Sequence, residues 1–371
     1  MGFGLFVPEF RSAFGMSSSA VGFVSSLGFV GFLLGLMLAQ ALLVRRGPEA
    51  PVLSGLIAAT VGMAIVAAAP TVSVLALGVF LTASSAGFAW TPFNDAVHRK
   101  VWEMDRPTAL SRISTGTSIG IAGAGAAALL MALTGFSWRA CWAFFALAGG
   151  VALVINWAVL RDIDKDPEFP PERGMRHLFQ IEAIPLFAIG FVYGTTSAIY
   201  ISFASDHMQE RGGVPGLPVE ATPALVFMAY GLFGFGGLLT GRLKTALGLA
   251  TLLRVLMLAG AISVALPALL PSSWASLVSS AGLQGIHVMM TSAVLAFWSE
   301  RLFPRLPSLG FTAALVAMAT GSIVGPSLAG LAADSLGSEA MLLATAALPL
   351  ATAILLRDLH VTERPVDIAH R

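Results

Sequence analysis

At 371 residues, 56% hydrophobic and 11% charged, with a mean hydropathy of +0.83, the chain has too little polar surface for a water-soluble globule. A formal net charge of +1 gives no basic stripe for nucleic acid, and the single cysteine, Cys141, excludes a disulfide within the chain. The composition is that of a polytopic membrane protein.

Met1 to Pro8 are apolar but too short to cross a bilayer, and they lack the basic start of a secretory signal. They read as the last two turns of a leading helix most of which is missing from this chain, with Pro8, Glu9 and Arg11 marking its exit. Runs of at least about 17 apolar residues then predict eleven complete spans. They lie near 17–43, 51–69, 71–94, 109–133, 138–160, 179–204, 221–243, 248–270, 274–298, 308–333 and 338–357.

With the C-terminal tail placed in the cytoplasm, inside segments and adjoining helix ends hold eighteen of the 21 Lys and Arg residues. Only Arg11, Arg139 and Arg211 fall outside. Such asymmetry is the positive-inside pattern, so a multi-pass protein of the inner (plasma) membrane with a cytoplasmic C-terminus is expected.

Glycine concentrates in every third span, as Gly31-x-x-x-Gly35, Gly116-x-x-x-Gly120, Gly237-x-x-x-Gly241 and Gly321-x-x-x-Gly325. Each pair presents a side-chain-poor seam that lets another helix approach closely. The seams also repeat: Gly28, Gly31 and Gly35 map onto Gly234, Gly237 and Gly241 at an offset of 206. Gly116, Gly120 and Gly125 map onto Gly321, Gly325 and Gly330 at 205, as Asp95 and Lys100 do onto Glu300 and Arg305. Two like-oriented halves related by a pseudo-two-fold along the membrane normal follow. The expected organisation is an N-terminal half over 1–160, a charged, Pro-rich cytoplasmic linker over 161–177 and a C-terminal half with its tail over 178–371.

On these features the chain resembles the major facilitator superfamily (MFS) of secondary transporters. The stretch Gly321-Ser-Ile-Val-Gly325-Pro326-Ser-Leu-Ala-Gly330 is similar to that family's glycine–proline motif in its eleventh helix. The resemblance implies an all-α fold of two six-helix bundles, here with eleven complete spans and a stub of helix 1. It implies further that the glycine-rich spans are helices 2, 5, 8 and 11 at the interface between halves, and that helices 1, 4, 7 and 10 line a substrate cavity. The family's loop motif Gly-x-x-x-Asp-Arg-x-Gly is eroded to Gln40-Ala-Leu-Leu-Val44-Arg45-Arg46-Gly47, without its acid. A charge latch from Asp95 and Glu300 to Arg45, Arg112, Arg242 or Arg301 would replace it; simple solvation of these charges is the other reading.

Candidate solute contacts follow from polar residues on the cavity helices. His287 has Gln284 and Thr291 on its face by i, i+3, i+7 spacing, and imidazole suits either binding and proton coupling or a hydrogen bond between helices. Tyr193, Thr196 and Tyr200 form a stripe with Thr195 and Ser197 adjacent, while Asp206 and His207 sit at the outer mouth. Thr82, Ser85, Trp90 and Asn94 add polar or aromatic groups in the fourth helix. Glu182 reads as a helix-start carboxylate, and Arg254 as a snorkelling side chain.

No midplane cluster of charge is present, so the cargo is expected to be a small neutral, monovalent or amphiphilic organic solute, with a coupling proton as a possible second partner. There is no Gly-x-x-x-x-Gly-Lys nucleotide loop, so a gradient supplies the energy. No enzyme activity, cofactor, metal or nucleic acid is expected, and the bilayer-embedded chain is read as a monomer. The rival readings are a non-transporting membrane sensor, a defective MFS relative and an intramembrane enzyme.

Overall fold

The computed structural model describes the backbone of residues 2–102, 106–161, 181–303 and 307–362. The expected linker, with the acidic run Asp162, Asp164, Asp166 and Glu168, lies outside the described residues. Among the described residues eleven helices are long and apolar enough to span a membrane, each within a few residues of a predicted span. The agreement follows from the bilayer, which forces about 20 apolar residues into one helix because an unpaired backbone amide has no water to turn to.

The first half contains α1 (Gly2–Leu5), α2 (Val7–Phe14), α3 (Ser18–Arg46), α4 (Glu49–Ala68), α5 (Val72–Lys100), α6 (Arg106–Thr134) and α7 (Trp138–Leu160). Hydroxyl caps set the starts of three of these: Ser17, Thr71 and Ser137 accept from the amides of Ala20, Val74 and Ala140. The second half contains α8 (Ile184–Glu210), α9 (Thr222–Gly234), α10 (Thr240–Leu247), α11 (Leu249–Leu269), α12 (Trp274–Leu302), α13 (Pro307–Leu336) and α14 (Ser338–Leu355). A 3-10 stretch, Phe235–Leu239, joins α9 to α10. Tightening of this kind in mid-span marks a place where the helix can change its winding.

The N-terminal stub corrects one expectation. Pro8 and Glu9 do not mark a helix exit: Pro8 occupies the first turn of α2, where its missing N–H costs nothing, and the helix runs on to Phe14. Gly15 ends it in a left-handed conformation at φ 63°. The stub is anchored by aromatic packing, with Phe6 and Phe10 against Trp142, and Phe10 edge-on to Trp138 at 5.1 Å.

Packing repeats as the duplication requires. Within the first half α3 packs on α5, α4 on α5 and α4 on α7; the equivalent pairs α9 on α12, α11 on α12 and α11 on α14 pack in the second. Between halves α3 crosses α13, and its symmetry mate is the crossing of α9 with α6.

Arg254 does more than snorkel. Its Nε donates to the carbonyl of Leu356 at 2.8 Å and its Nη2 pairs with Asp358 at 2.7 Å, tying α11 to the segment after α14. Asp358 is 79% exposed, so the ion pair itself is worth at most about 1 kcal/mol. Asp358→Asn is therefore expected to leave thermal stability in detergent nearly unchanged; a large drop would show that the tail is an integral brace.

Candidate functional site between the two halves

Among the described residues, the hydrogen bonds between the halves lie toward one face. Call the face where the chain passes from α7 to α8 the linker face, and the opposite one the far face. Toward the far face Ser25 and Ser202 share a hydrogen bond of 2.6 Å, and the backbone N–H and hydroxyl of Ser327 both donate to Ser26 Oγ, at 3.1 and 2.8 Å. Ser205 donates to the carbonyl of Gly4.

Both crossings close on glycine. A Cβ on Gly22 would run into the carbonyl of Pro326 and lie 3.3 Å from Gly330 Cα, and a Cβ on Gly330 would run into Ser18. A Cβ on Gly125 would lie 2.7 Å from the backbone nitrogen of Met228, and one on Gly231 would strike Ala122. The offsets of 206 and 205 carry residues 22 and 125 onto 228 and 330, so the contact of Gly125 with Met228 is the mate of that of Gly330 with Gly22.

The predicted seams sit elsewhere. Gly31 and Gly35 abut the carbonyls of Phe80 and Ser84 on α5, and Gly237 abuts Met289 on α12. Gly321 and Gly325 abut Phe191 and Thr195 on α8. These five glycines pack helices within a half. Only Pro326 of the predicted set joins the halves. Gly116, Gly120 and Gly241 meet no atom within 4 Å of a built Cβ; on α6, Gly116 and Gly120 share the exposed stripe of Ile119 and Leu130, turned away from the face that Ser118, Ala122 and Gly125 present to α9.

The latch charges on the linker face are likewise apart. Arg45, Arg112, Arg242 and Glu300 are exposed and make no ion pair among the described residues. The side chains of Asn94 and Asp95 lie outside the described residues. Arg301, on the same helix, and Lys244 of α10 lie over the ring of Phe297 on α12, at 4.9 and 4.0 Å.

The trio of Gln284, His287 and Thr291 on α12 is buried inside the second half. His287 is 0% exposed, and its Nδ1–H donates to the carbonyl of Leu256 on α11 at 2.8 Å, with the ring seated against Gly260. Tyr193 meets the ring edge-on at 5.6 Å and donates to the carbonyl of Val288. Gln284 accepts from Ser263 at 2.8 Å; Ser280 donates to the Ser263 carbonyl, which leaves Tyr200 as donor to Ser280 at 2.9 Å. Thr291 is 3.4 Å from His287 Nδ1, and Thr196 bonds back to Val192 on its own helix. Of the two readings of His287, the hydrogen bond between helices is the one the geometry displays.

A small cavity spans the halves instead. It measures ≈ 140 Å³ and is lined by α1, α3, α5, α7 and α8, with Phe3, Ser25, Phe29, Thr82, Trp142 and Ile201 among its walls. Thr82 is the one predicted contact found there; Ser85 hydrogen-bonds to the Thr82 carbonyl, and half-buried Trp90 lies further along α5. Thr82 Oγ1 and Trp142 Nε1 are buried without a hydrogen-bond partner, and Thr82 Oγ1 is turned toward Gly62 of α4. Trp142 was hidden in the sequence as one aromatic in an apolar span.

A serine-hydrolase pattern, Gly116-Thr-Ser118-Ile-Gly120, also occurs. Ser118 lies in mid-helix with its hydroxyl against Gly234, not on the sharp strand-to-helix turn that exposes such a nucleophile.

A family profile described as "Uncharacterised MFS-type transporter YbfB" matches residues 1–357. The chain belongs to this family. It is a multi-pass membrane transporter of MFS type rather than an enzyme. Solved structures with the same fold include a mutant of nucleoside transporter NupG, at 12% identity and TM-score 0.77, covering 96% of this chain and 95% of that one. A bacterial homolog to human lysosomal transporter Spinster, inward-facing and unoccupied, aligns at 15% identity and TM-score 0.73 over 95% of this chain and 91% of that one. No curated protein matches the sequence.

Proposed function

We propose that the chain is an inner-membrane secondary transporter that moves a small neutral, monovalent or amphiphilic organic solute by alternating access, and that the state described is open to the cytoplasm. The carrying observation is the one-sided joint. Two symmetry-related glycine crossings and the serine pairs close the far face, whereas on the linker face Arg45, Arg112, Arg242 and Glu300 make no ion pair across the halves among the described residues. The eighteen-to-three charge split makes the linker face cytoplasmic. The two halves are the moving bodies, and the 205–206 repeat gives them equivalent crossings to rock about.

The cavity at the apex of the cleft favours an amphiphile. Its ≈ 140 Å³ is well below the roughly 300–1,000 Å³ of an ordinary ligand pocket, so it accepts one end of a solute against largely apolar walls. The buried His287 network holds helices α8, α11 and α12 in register behind this wall.

Reconstituted vesicles preloaded with candidate solutes provide the test. Saturable counterflow is expected, and binding without movement would make the protein a sensor. Phe29→Leu trims an aromatic wall of the cavity; the loss of about 1 kcal/mol of apolar contact predicts about a fivefold weaker half-saturation. Unaltered half-saturation would take Phe29 out of the site.

A further inference from the structure

What holds the far face shut is a set of charges that meet across the halves. Arg11 of α2 has its Nε 2.9 Å from Asp206 Oδ2 and its Nη1 3.7 Å from Glu210 Oε1, both on α8. Its Nη2 donates to Ser18 Oγ at 2.8 Å. Asp206 is only 3% exposed, so without Arg11 its carboxylate would be a buried charge with no cation opposite.

Ser18 is also the first residue of α3, a helix of 29 residues whose leading amides have no acceptor within the helix. Ser17 Oγ takes one of them, from Ala20. The acceptor for two more comes from the other half. Asp334 of α13 accepts the N–H of Ser18 through Oδ1 at 3.0 Å and that of Ser19 through Oδ2 at 2.9 Å. A carboxylate of one half thus caps a helix of the other, where the helix dipole favours negative charge. Arg11 and the positive end of α3 belong to the first half, Asp206 and Asp334 to the second. The polarity is complementary throughout, and Ser18 links the two contacts.

We infer that Arg11, Asp206 and Asp334 are the gate residues of the far face: they stabilise the state described here, separate whenever that face opens, and thereby set the balance between the two facing states. This rests on the alternating-access reading. The competing role is structural, in which the same contacts merely stabilise the fold.

The experiment uses purified full-length protein in a Cys141→Ser background with Ser202→Cys as reporter, since Ser202 is 1% exposed and bonded across the halves to Ser25. A water-soluble maleimide reads how often the far face opens. Asp334→Ala and Asp206→Asn are each expected to raise the labelling rate about five- to thirtyfold, as loss of a cap or ion pair shifts a two-state balance. The exchanged pair, Arg11→Asp with Asp206→Arg, is expected to return it toward the parent. A second reporter, Thr291→Cys, is buried in the core of one half and stays unlabelled if the variants remain folded. Equal Ser202→Cys labelling in parent and variants, or Thr291→Cys labelling that rises in parallel, overturns the gate. If Ser202→Cys is never labelled, even when Gly22→Leu is added, the alternating-access reading itself fails.

Discussion

Gly22→Leu is expected to abolish counterflow while leaving the chain inserted and folded, with the protein held open at the far face. The reason is backbone proximity: even a Cβ at residue 22 collides with the Pro326 carbonyl, and a carbonyl within a helix cannot rotate away as a side chain would. Overpacking of this kind costs about 1–3 kcal/mol or more, enough to shift a two-state balance by about thirtyfold. The cost falls on one facing state only, because the contact exists only when the far face is shut. Gly231→Leu acts at the symmetry-related crossing through Ala122 and should behave alike. Gly120→Leu is the control. With nothing within 4 Å and on the exposed stripe of α6 with Ile119 and Leu130, it is expected to leave counterflow at the parental rate. Parental counterflow in Gly22→Leu would show that the crossing is not a closing surface.

His287→Ala is expected to destabilise rather than to alter pH dependence. The ring is fully enclosed between α8, α11 and α12, and its removal leaves a cavity beside Gly260 together with the loss of the Leu256 hydrogen bond. Comparable deletions cost about 2–5 kcal/mol, which thermal melting in detergent resolves readily. The transport rate measured between about pH 5 and 8, where an accessible imidazole titrates, should keep the parental profile at temperatures where the variant is folded. A flattened profile with unchanged melting would make His287 a proton-coupling group after all.

Much of the fold was legible because the bilayer leaves few choices. Helix length, the charge bias of the loops and the repeat at 205–206 each survive in a single sequence. Neighbour identity does not. The i, i+4 spacing of Gly31 and Gly35 announces a bare face, but nothing local says whether α5 or α13 covers it; it is α5. The glycines at the two crossings, Gly22, Gly125, Gly231 and Gly330, stand outside the paired spacing. The same ambiguity left His287 open between two roles; its hydrogen bond runs to Leu256 of α11, as that of Gln284 runs to Ser263. Arg11 and Asp334 read as isolated charges near helix ends, since their partners lie in the other half, 316 residues away in the case of Asp334 and Ser18.

The central claim is that the halves rock about two equivalent crossings. Spin labels at Thr115 on α6 and Thr245 on α10, both toward the linker face, report the motion as a distance distribution by electron–electron double resonance. Rocking predicts short distances in Gly22→Leu and Gly231→Leu, and in the parent a distribution that extends to longer ones. One distribution common to all three proteins would contradict it.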